Sequence, residues 1–205
     1  MNKQININDI GSNNKVVISE DINVPSGHKI TIDIKGNNNI IIIKNSSILK
    51  KTLIFINGND NKLTIDTHCL FSGSISLIHN ENNISIGKNS IFKNTEIRCE
   101  YGCYVTIGDF CIFEKNTYIR TGDSHSIISI ITGKRINNCE SIFIGNHVLC
   151  CKNSAIFKGS YILNDSVIAS NSLVNKKFSN ANILLAGSPA KIRRKDINWL
   201  YKREF

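Results

Sequence analysis

Apolar and small residues recur with a period of six in the C-terminal half of the chain. Apolar residues stand at every sixth position from 144 to 174: Ile144, Cys150, Ile156, Ile162, Ile168 and Val174. Small or β-branched residues follow the first five of these by four positions: Val148, Ser154, Ser160, Ser166 and Ser172. A period of six fits neither an α-helix nor a flat strand. It predicts an all-β solenoid with aliphatic side chains inside and small residues stacked at its corners.

The same phase continues upstream in a looser form. It is recognisable at Ile86 and Phe92, and again at Ile107, Phe113 and Ile119. Before residue 84, an Asn-rich turn followed by a β-branched run returns after a little over twenty residues, which predicts one coil per unit. We therefore divide the chain into irregular coils over 1–83, hexapeptide coils over 84–186 and a tail over 187–205.

Two segments depart from the repeat. After Ile119 the next inward position would be His125, but the chain leaves the register over 126–141 and rejoins it near Ile142 or Ile144. Such an excursion from a rigid scaffold is where function is expected. In the tail, residues 196–202 predict a short helical cap that begins at Asp196. We expect its apolar residues, Trp199 and Leu200, to pack on the solenoid or on a neighbouring copy.

Composition narrows the functional classes. The 205 residues suit one domain, no apolar run is long enough to span a membrane, and the N-terminus lacks the apolar stretch of a signal peptide. Seven cysteines then predict reduced thiols and a cytoplasmic protein. The formal net charge is +9, and the basic residues are spread along the chain except for a cluster in residues 191–195. No aromatic residues alternate with these basic residues, so we expect no nucleic-acid partner. The basic tail fits either a phosphorylated cofactor or a solvated surface.

The excursion holds the candidate chemistry. A histidine titrates near neutrality, so His125 is a candidate base for a substrate hydroxyl, and Asp123 is a candidate to fix its tautomer. Alternatively, His125 is only a polar residue at the root of a loop. A His125–His147 metal pair lacks a third ligand, and we expect no metal. An acyl-enzyme on Cys151 would need a neighbouring base, and none is evident.

These residues resemble the hexapeptide-repeat acyltransferases, most closely the bacterial capsule and sialic acid O-acetyltransferases. Three segments resemble that family's motifs: Asp123–Ile127 its catalytic-histidine motif, Gly133–Asn137 the end of its active-site loop, and Gly187–Lys191 its terminal motif. The resemblance implies a left-handed parallel β-helix with a protruding active-site loop. It also implies a homotrimer with acetyl-CoA in the groove between adjacent subunits.

The resemblance further assigns roles to individual residues. His125 would be the general base, assisted by Asp123, and an oxyanion-stabilising amide would lie near Cys151. Leu149 replaces a tryptophan that lines the active site of many members, which implies an altered acceptor pocket. The implied cofactor-binding residues are Cys151, Ser170, Lys176, Lys191 and Arg194, or Arg193 in its place. The implied acceptor-binding residues are Arg120, Ser124, Arg135 and Leu149.

The leading hypothesis is therefore an acetyl-CoA-dependent O-acetyltransferase that acts on a sugar of a bacterial surface glycan, such as a sialic acid. The alternatives are an N-acyltransferase on an amino-sugar nucleotide and a non-catalytic β-helix that serves as a binding module. A metal-dependent activity like that of carbonic anhydrase on the same fold is more remote.

Overall fold

The computed structural model of the protein describes residues 4–201, which form twenty strands and no helix. The strands are, in chain order, β1 (Ile5–Asp9), β2 (Lys15–Ile18), β3 (Ile30–Lys35), β4 (Ile40–Ile43), β5 (Ile48–Asn57), β6 (Lys62–Ile65), β7 (Leu70–Ile78), β8 (Asn83–Ile86), β9 (Ile91–Glu100), β10 (Tyr104–Ile107), β11 (Ile112–Phe113), β12 (Tyr118–Arg120), β13 (Ile142–Ile144), β14 (Leu149–Cys150), β15 (Ala155–Phe157), β16 (Tyr161–Ile162), β17 (Val167–Ile168), β18 (Leu173–Val174), β19 (Leu184–Ala186) and β20 (Lys191–Arg194).

The strands stack in parallel as a solenoid of about eight turns with three faces. Face 1 contains β1, β3, β12, β15, β18 and the C-terminal halves of β5, β7 and β9. Face 2 contains β2, β4, β6, β8, β10, β13 and β16. Face 3 contains the N-terminal halves of β5, β7 and β9, then β11, β14, β17 and β19. We call the corners between them edges 1/2, 2/3 and 3/1.

Strand register confirms both repeat lengths. Ile32 pairs with Ile54 in the N-terminal coils, an offset of 22 residues. Ile156 pairs with Val174 near the C-terminus, an offset of 18 residues, or three hexapeptides. The predicted boundary between irregular and hexapeptide coils, at residues 83 and 84, stays a prediction. On face 2, β8 pairs in register with β6 before it and with β10 after it.

The interior is filled as the six-residue phase predicts. All six leading residues from Ile144 to Val174 are fully buried. The five small or β-branched residues that follow them at the corners are at most 3% exposed. Burial of aliphatic side chains along the whole axis is the main stabilising contribution to such a fold.

A column of buried asparagines holds edge 1/2 of the first coils together. The Asn61 amide donates to Asn39 Oδ1 at 3.0 Å, and the Asn82 amide donates to Asn61 Oδ1 at 2.8 Å. Cys103 takes the corresponding position in the next coil, as the hydrogen bond from Asn83 N to its carbonyl indicates. The column therefore ends at the coil that precedes the excursion, on the same edge.

The predicted C-terminal helix is wrong over residues 196–201, and Lys202 lies outside the described residues. Strand β20 instead pairs antiparallel with β19, and the tail bonds to the solenoid through Ile197 N and Asn182 O at 3.0 Å. Such a short segment gains little from internal helical bonds, because helix nucleation is costly. The expectation that the tail packs on the solenoid is confirmed for Trp199, whose ring stacks on His147, whereas Leu200 is 61% exposed in the single chain.

Within residues 4–201 there is no helix long and apolar enough to cross a membrane.

Candidate functional site

The excursion is a loop on edge 1/2. It leaves face 1 after Arg120, where β12 ends, and rejoins face 2 at Ile142, the earlier of the two predicted positions. Edge 1/2 is formed by residues 101–103 in the preceding coil and by residues 158–160 in the following coil. The loop therefore projects between two stacked corners, which fix both of its ends.

The distal part of the loop is a short hairpin. Ile136 N donates to Ile127 O at 2.9 Å, and Ser129 N donates to Lys134 O at 2.9 Å. Gly133 adopts a positive φ of 64° in the turn, a conformation that glycine tolerates best. The isoleucines at the tip, Ile130 and Ile131, are almost completely exposed.

Asp123 anchors the loop root to the next coil. Its Oδ2 lies 2.5 Å from the Lys158 ammonium and accepts a hydrogen bond from the Asn137 amide at 2.9 Å. Partial burial raises the pKa of Asp123, but the hydrogen bonds and positive charge around it outweigh that effect. The net pKa of Asp123 is therefore lowered, and the carboxylate is ionised at neutral pH.

His125 lies exposed two residues further along the loop. Its backbone N–H donates to Asp123 O at 2.7 Å. In the described part of the chain, the Asp123 carboxylate bonds to Lys158 and Asn137, and no hydrogen bond joins it to the His125 imidazole. Direct orientation of the imidazole by Asp123 stays a prediction.

A buried carboxylate lies beneath the loop root. Glu100 is 1% exposed, and its Oε1 accepts a hydrogen bond from Arg98 Nε at 2.9 Å. Arg120 Nε lies 3.7 Å from Glu100 Oε2, and Arg120 Nη2 donates to Ser124 Oγ. The predicted acceptor-side residues Arg120 and Ser124 therefore contact each other next to His125.

Arg135 completes this side of the site. Its guanidinium lies over the Tyr101 ring at 5.2 Å, and its Nε donates to Asn137 Oδ1 at 3.2 Å. Within residues 4–201, three buried atoms at the loop root lack a hydrogen-bond partner: Glu100 Oε2, Arg120 Nε and Arg135 Nη2. Glu100 Oε2 and Arg120 Nε face each other as an ion pair, which leaves Arg135 Nη2 as the donor at the loop root that has neither an ion pair nor a hydrogen bond among the described residues.

A basic pocket lies at the C-terminal end of the solenoid, between the end of edge 1/2 and β20. Lys176, Lys177 and Lys191 line a cavity of about 330 Å³, and the Lys176 ammonium lies 5.4 Å from the centre of the Phe178 ring. Lys176 and Lys191 are predicted cofactor-binding residues, and the fold brings them together. Arg193 and Arg194 are exposed on β20.

The other predicted site residues lie elsewhere on the chain. Leu149 is half-buried on face 3, and Cys151 and Ser170 are on edge 3/1. The Cys151 N–H donates to Ile168 O at 2.9 Å, so this amide is engaged in the solenoid and is not a free oxyanion donor. Burial and the charge of Glu114 raise the pKa of the Cys151 thiol, which disfavours a covalent acyl-cysteine.

The geometry also tests the metal alternatives. His147 lies on edge 2/3, where its Nδ1 bonds to Asp165 Oδ1 at 2.8 Å, so a pair with His125 does not form. Cys99 and Cys103, four residues apart, are a second pair of possible ligands; Cys99 is buried with its Sγ donating to Cys103 O, and burial raises the pKa of the Cys99 thiol to about 12. No group of three or more potential ligands among His, Cys, Asp and Glu comes together in the described ranges.

Sequence reasoning missed four residues of this site: Glu100, Asn137, Lys158 and Lys177. Asn137 stands in the motif-like segment that ends the loop, but one asparagine in an Asn-rich chain carries no signal of its own. Lys158 and Glu100 reach the loop only because coils stack, and stacking partners lie tens of residues apart in sequence.

Comparison with known proteins identifies the family. No protein-family model matches the chain. A polysialic acid O-acetyltransferase of Neisseria meningitidis is 32% identical over 149 residues, which cover 73% of this chain and 68% of that protein. The crystal structure of the polysialic acid O-acetyltransferase OatWY superposes with a TM-score of 0.91 and 31% identity, covering 98% of this chain and 92% of that one.

The polySia-specific acetyltransferase NeuO also superposes with a TM-score of 0.91, at 27% identity, covering 98% of this chain and 91% of that one. The predicted all-β solenoid is confirmed as the left-handed β-helix of acetyltransferases. Sequence and structure agree, and the chain belongs to the polysialic acid O-acetyltransferase family of acyltransferases.

Proposed function

We propose that this protein transfers an acetyl group from acetyl-CoA to a hydroxyl of a sialic acid-containing capsular glycan. The observation that carries the proposal is the position of His125, exposed on a loop that projects on the same side as a basic pocket whose Lys176 ends edge 1/2. The pocket lies two coils beyond the loop, roughly 10 Å along the axis at the spacing of paired strands. The loop thus offers a base for the acceptor, and the C-terminal end of the solenoid offers cations for the phosphates of the donor.

In the proposed reaction His125 takes the proton of the acceptor hydroxyl as that oxygen attacks the thioester carbonyl. A C–O bond forms, the C–S bond breaks, and the imidazolium returns its proton to the departing thiolate. Transfer is direct, since the raised pKa of Cys151 disfavours an acyl-cysteine. A positioned general base of this kind contributes about 10²–10⁴-fold in rate.

The charges around His125 suit an anionic acceptor. At the loop root Arg98, Arg120 and Lys158 pair with Glu100 and Asp123, and with Arg135 the four cations outnumber the three carboxylates Glu100, Asp123 and Glu140. The unpartnered Arg135 Nη2 supports this assignment, because a guanidinium binds a carboxylate in bidentate fashion. The names of the related proteins, which specify polysialic acid, support a sialic acid polymer as the acceptor.

We also propose a homotrimer with the site shared between copies. Leu149, Cys151 and Ser170 are not on the His125 edge, so a site that includes them needs a second chain. Face 3 carries an outward column of aliphatic residues along most of its length, which suits burial against another copy. Its members pair in register: Ile48, Leu70, Ile91, Ile112, Leu149, Val167 and Leu184.

We place the reaction in the cytoplasm, because all seven cysteines are free thiols, which is usual in reducing compartments.

A transfer assay tests the proposed reaction. Wild type, with labelled acetyl-CoA and polysialic acid, should form an alkali-labile ester, and His125→Ala should lose about 10²–10⁴-fold in kcat. His68→Ala is the matched control, since His68 is exposed at another corner and should leave the rate unchanged. Equal transfer by wild type and His125→Ala would remove His125 from the mechanism.

The alternatives give different products. An amide product on an amino-sugar nucleotide would favour the N-acyltransferase. Failure to bind acetyl-CoA in calorimetry at millimolar concentration would favour the non-catalytic binding module.

A further inference from the structure

Asn137 is the only buried residue between Asp123 and Ser141. It is 7% exposed, whereas the residues on either side of it, Ile136 and Asn138, are exposed. A polar side chain buried in an otherwise exposed loop must recover its hydrogen bonds from that loop, because water cannot supply them.

The Asn137 amide makes every hydrogen bond that its chemistry allows. Its Nδ2 donates to Asp123 Oδ2 at 2.9 Å and to His125 O at 2.8 Å. Its Oδ1 accepts from Ile127 N at 2.8 Å and from Arg135 Nε at 3.2 Å. Both N–H donors and both lone pairs are thus used. The partners fix the orientation of the amide, since the flipped amide would place Oδ1 against a carboxylate and a carbonyl.

Three of these bonds hold the segment around His125. One bond fixes the carbonyl of His125 itself, a second fixes the amide two residues later, and a third fixes the side chain two residues before. The backbone pairing of the hairpin begins only at Ile127 and Ile136, so the Asn137 side chain takes the place of strand pairing on the His125 side of it. A general base loses much of its effect when it is displaced by about 1 Å.

We propose that Asn137 is a positioning residue that sets the place of His125 for proton transfer, an inference that rests on the proposed function. Asp123 then assists His125 through Asn137, without direct contact with the imidazole. Lys158 holds Asp123 from the following coil, so a chain of contacts runs from Lys158 through Asp123 and Asn137 to the backbone of His125.

The test uses the nearly isosteric variant Asn137→Asp. The new carboxylate keeps the acceptor for Ile127 N and Arg135 Nε, but it loses both donated bonds and faces the Asp123 carboxylate. We expect kcat to fall by about 10–100-fold, while the KM for acetyl-CoA changes by less than about twofold, because the basic pocket lies two coils away. Asn138→Asp is the matched control: it makes the same charge change at the next, exposed position and should keep the wild-type kcat.

Two further measurements separate a positioning role from general damage to the fold. Hydrogen exchange should rise at the amides of residues 125–127 in Asn137→Asp and stay at the wild-type rate in the stacked coils. In a His125→Ala background, Asn137→Asp should change the residual rate by less than about twofold, because the residue through which it acts is gone.

The outcomes distinguish the inference from the function on which it rests. Wild-type exchange at residues 125–127 in Asn137→Asp would overturn the positioning role whether or not the protein is active. So would an active wild type whose Asn137→Asp variant keeps kcat within twofold. An inactive wild type, or full activity in His125→Ala, would instead count against the proposed function.

Discussion

Trp199 lies flat on His147, with the ring centroids 4.1 Å apart and the planes within 11° of each other. The indole N–H donates to the His147 carbonyl at 2.8 Å, and His147 Nδ1 in turn bonds to Asp165. The partners are 52 residues apart in sequence. This contact docks the tail on edge 2/3 without the helical cap that the sequence predicts.

Removal of the His147 ring should release the tail. Trp199 is the only tryptophan of the chain, so its fluorescence reports docking directly. His147→Asn keeps a residue that tolerates the positive φ of 53° at this position but removes the stacking surface. We expect a red-shifted emission maximum, because the indole becomes hydrated. His68→Asn, at an exposed position with a φ of 58°, is the control, and an unshifted maximum in His147→Asn would contradict the docking.

The Asp123–Lys158 pair should stabilise the loop in a pH-dependent way. Lys158→Gln removes the pair, which is partly exposed and therefore contributes at most about 1 kcal/mol, or about 2–4 °C in Tm. The pKa of Asp123 is lowered by folding. The stabilisation is then complete above the ordinary pKa of 3.8 and is lost as the pH falls through the lower folded value.

Thermal unfolding measured from pH 7 to pH 3 tests the direction of this pH dependence. The difference in Tm between wild type and Lys158→Gln should stay constant down to about pH 4 and shrink below it. Lys152→Gln removes the same charge from an exposed corner of the preceding coil and should show no such trend. A difference that grows on acidification would mean that Asp123 is not the partner that titrates.

The sequence predicts the solenoid well, because each residue in a repeat samples the same environment as its equivalent one coil away. Cys150 follows the aliphatic phase and is fully buried, although cysteine alone says nothing about position. The loop is also predictable, because His125 stands at the position where the six-residue repeat is interrupted. Contacts between coils are not predictable from the repeat. Asp123 is paired with its sequence neighbour His125 in the prediction, whereas its ionic partner, Lys158, is 35 residues away.

The asparagine column should be a major source of stability in the N-terminal coils. Asn61 is 1% exposed; it donates to Asn39 and His79 O and accepts from Asn82. Asn61→Ala removes four buried hydrogen bonds of this side chain and takes away the acceptor of the Asn82 N–H, so we expect the free energy of unfolding to fall by about 2–4 kcal/mol. Denaturant unfolding measures this loss. Asn180→Ala, at an exposed position, should change stability by less than about 0.5 kcal/mol, and an equal effect of both variants would show that the column contributes little.

The aliphatic column on face 3 should control assembly. Val167 lies within it, between Leu149 and Leu184, and is half-buried in the single chain. Val167→Asp places a carboxylate in a surface that the proposed trimer would bury, and an unpaired buried charge is strongly unfavourable. We expect light scattering to give the 22.9 kDa mass of one chain for the variant and three times that mass for wild type.

The matched control for the assembly test is Thr106→Asp, which adds the same charge at an exposed position on face 2 and should leave the mass unchanged. If His125 works beside the Leu149 of another copy, Val167→Asp should also lose acetyl transfer although its own loop is intact. A monomeric variant with full activity would show that one chain holds the whole site, and a trimeric variant would place the contact on another face.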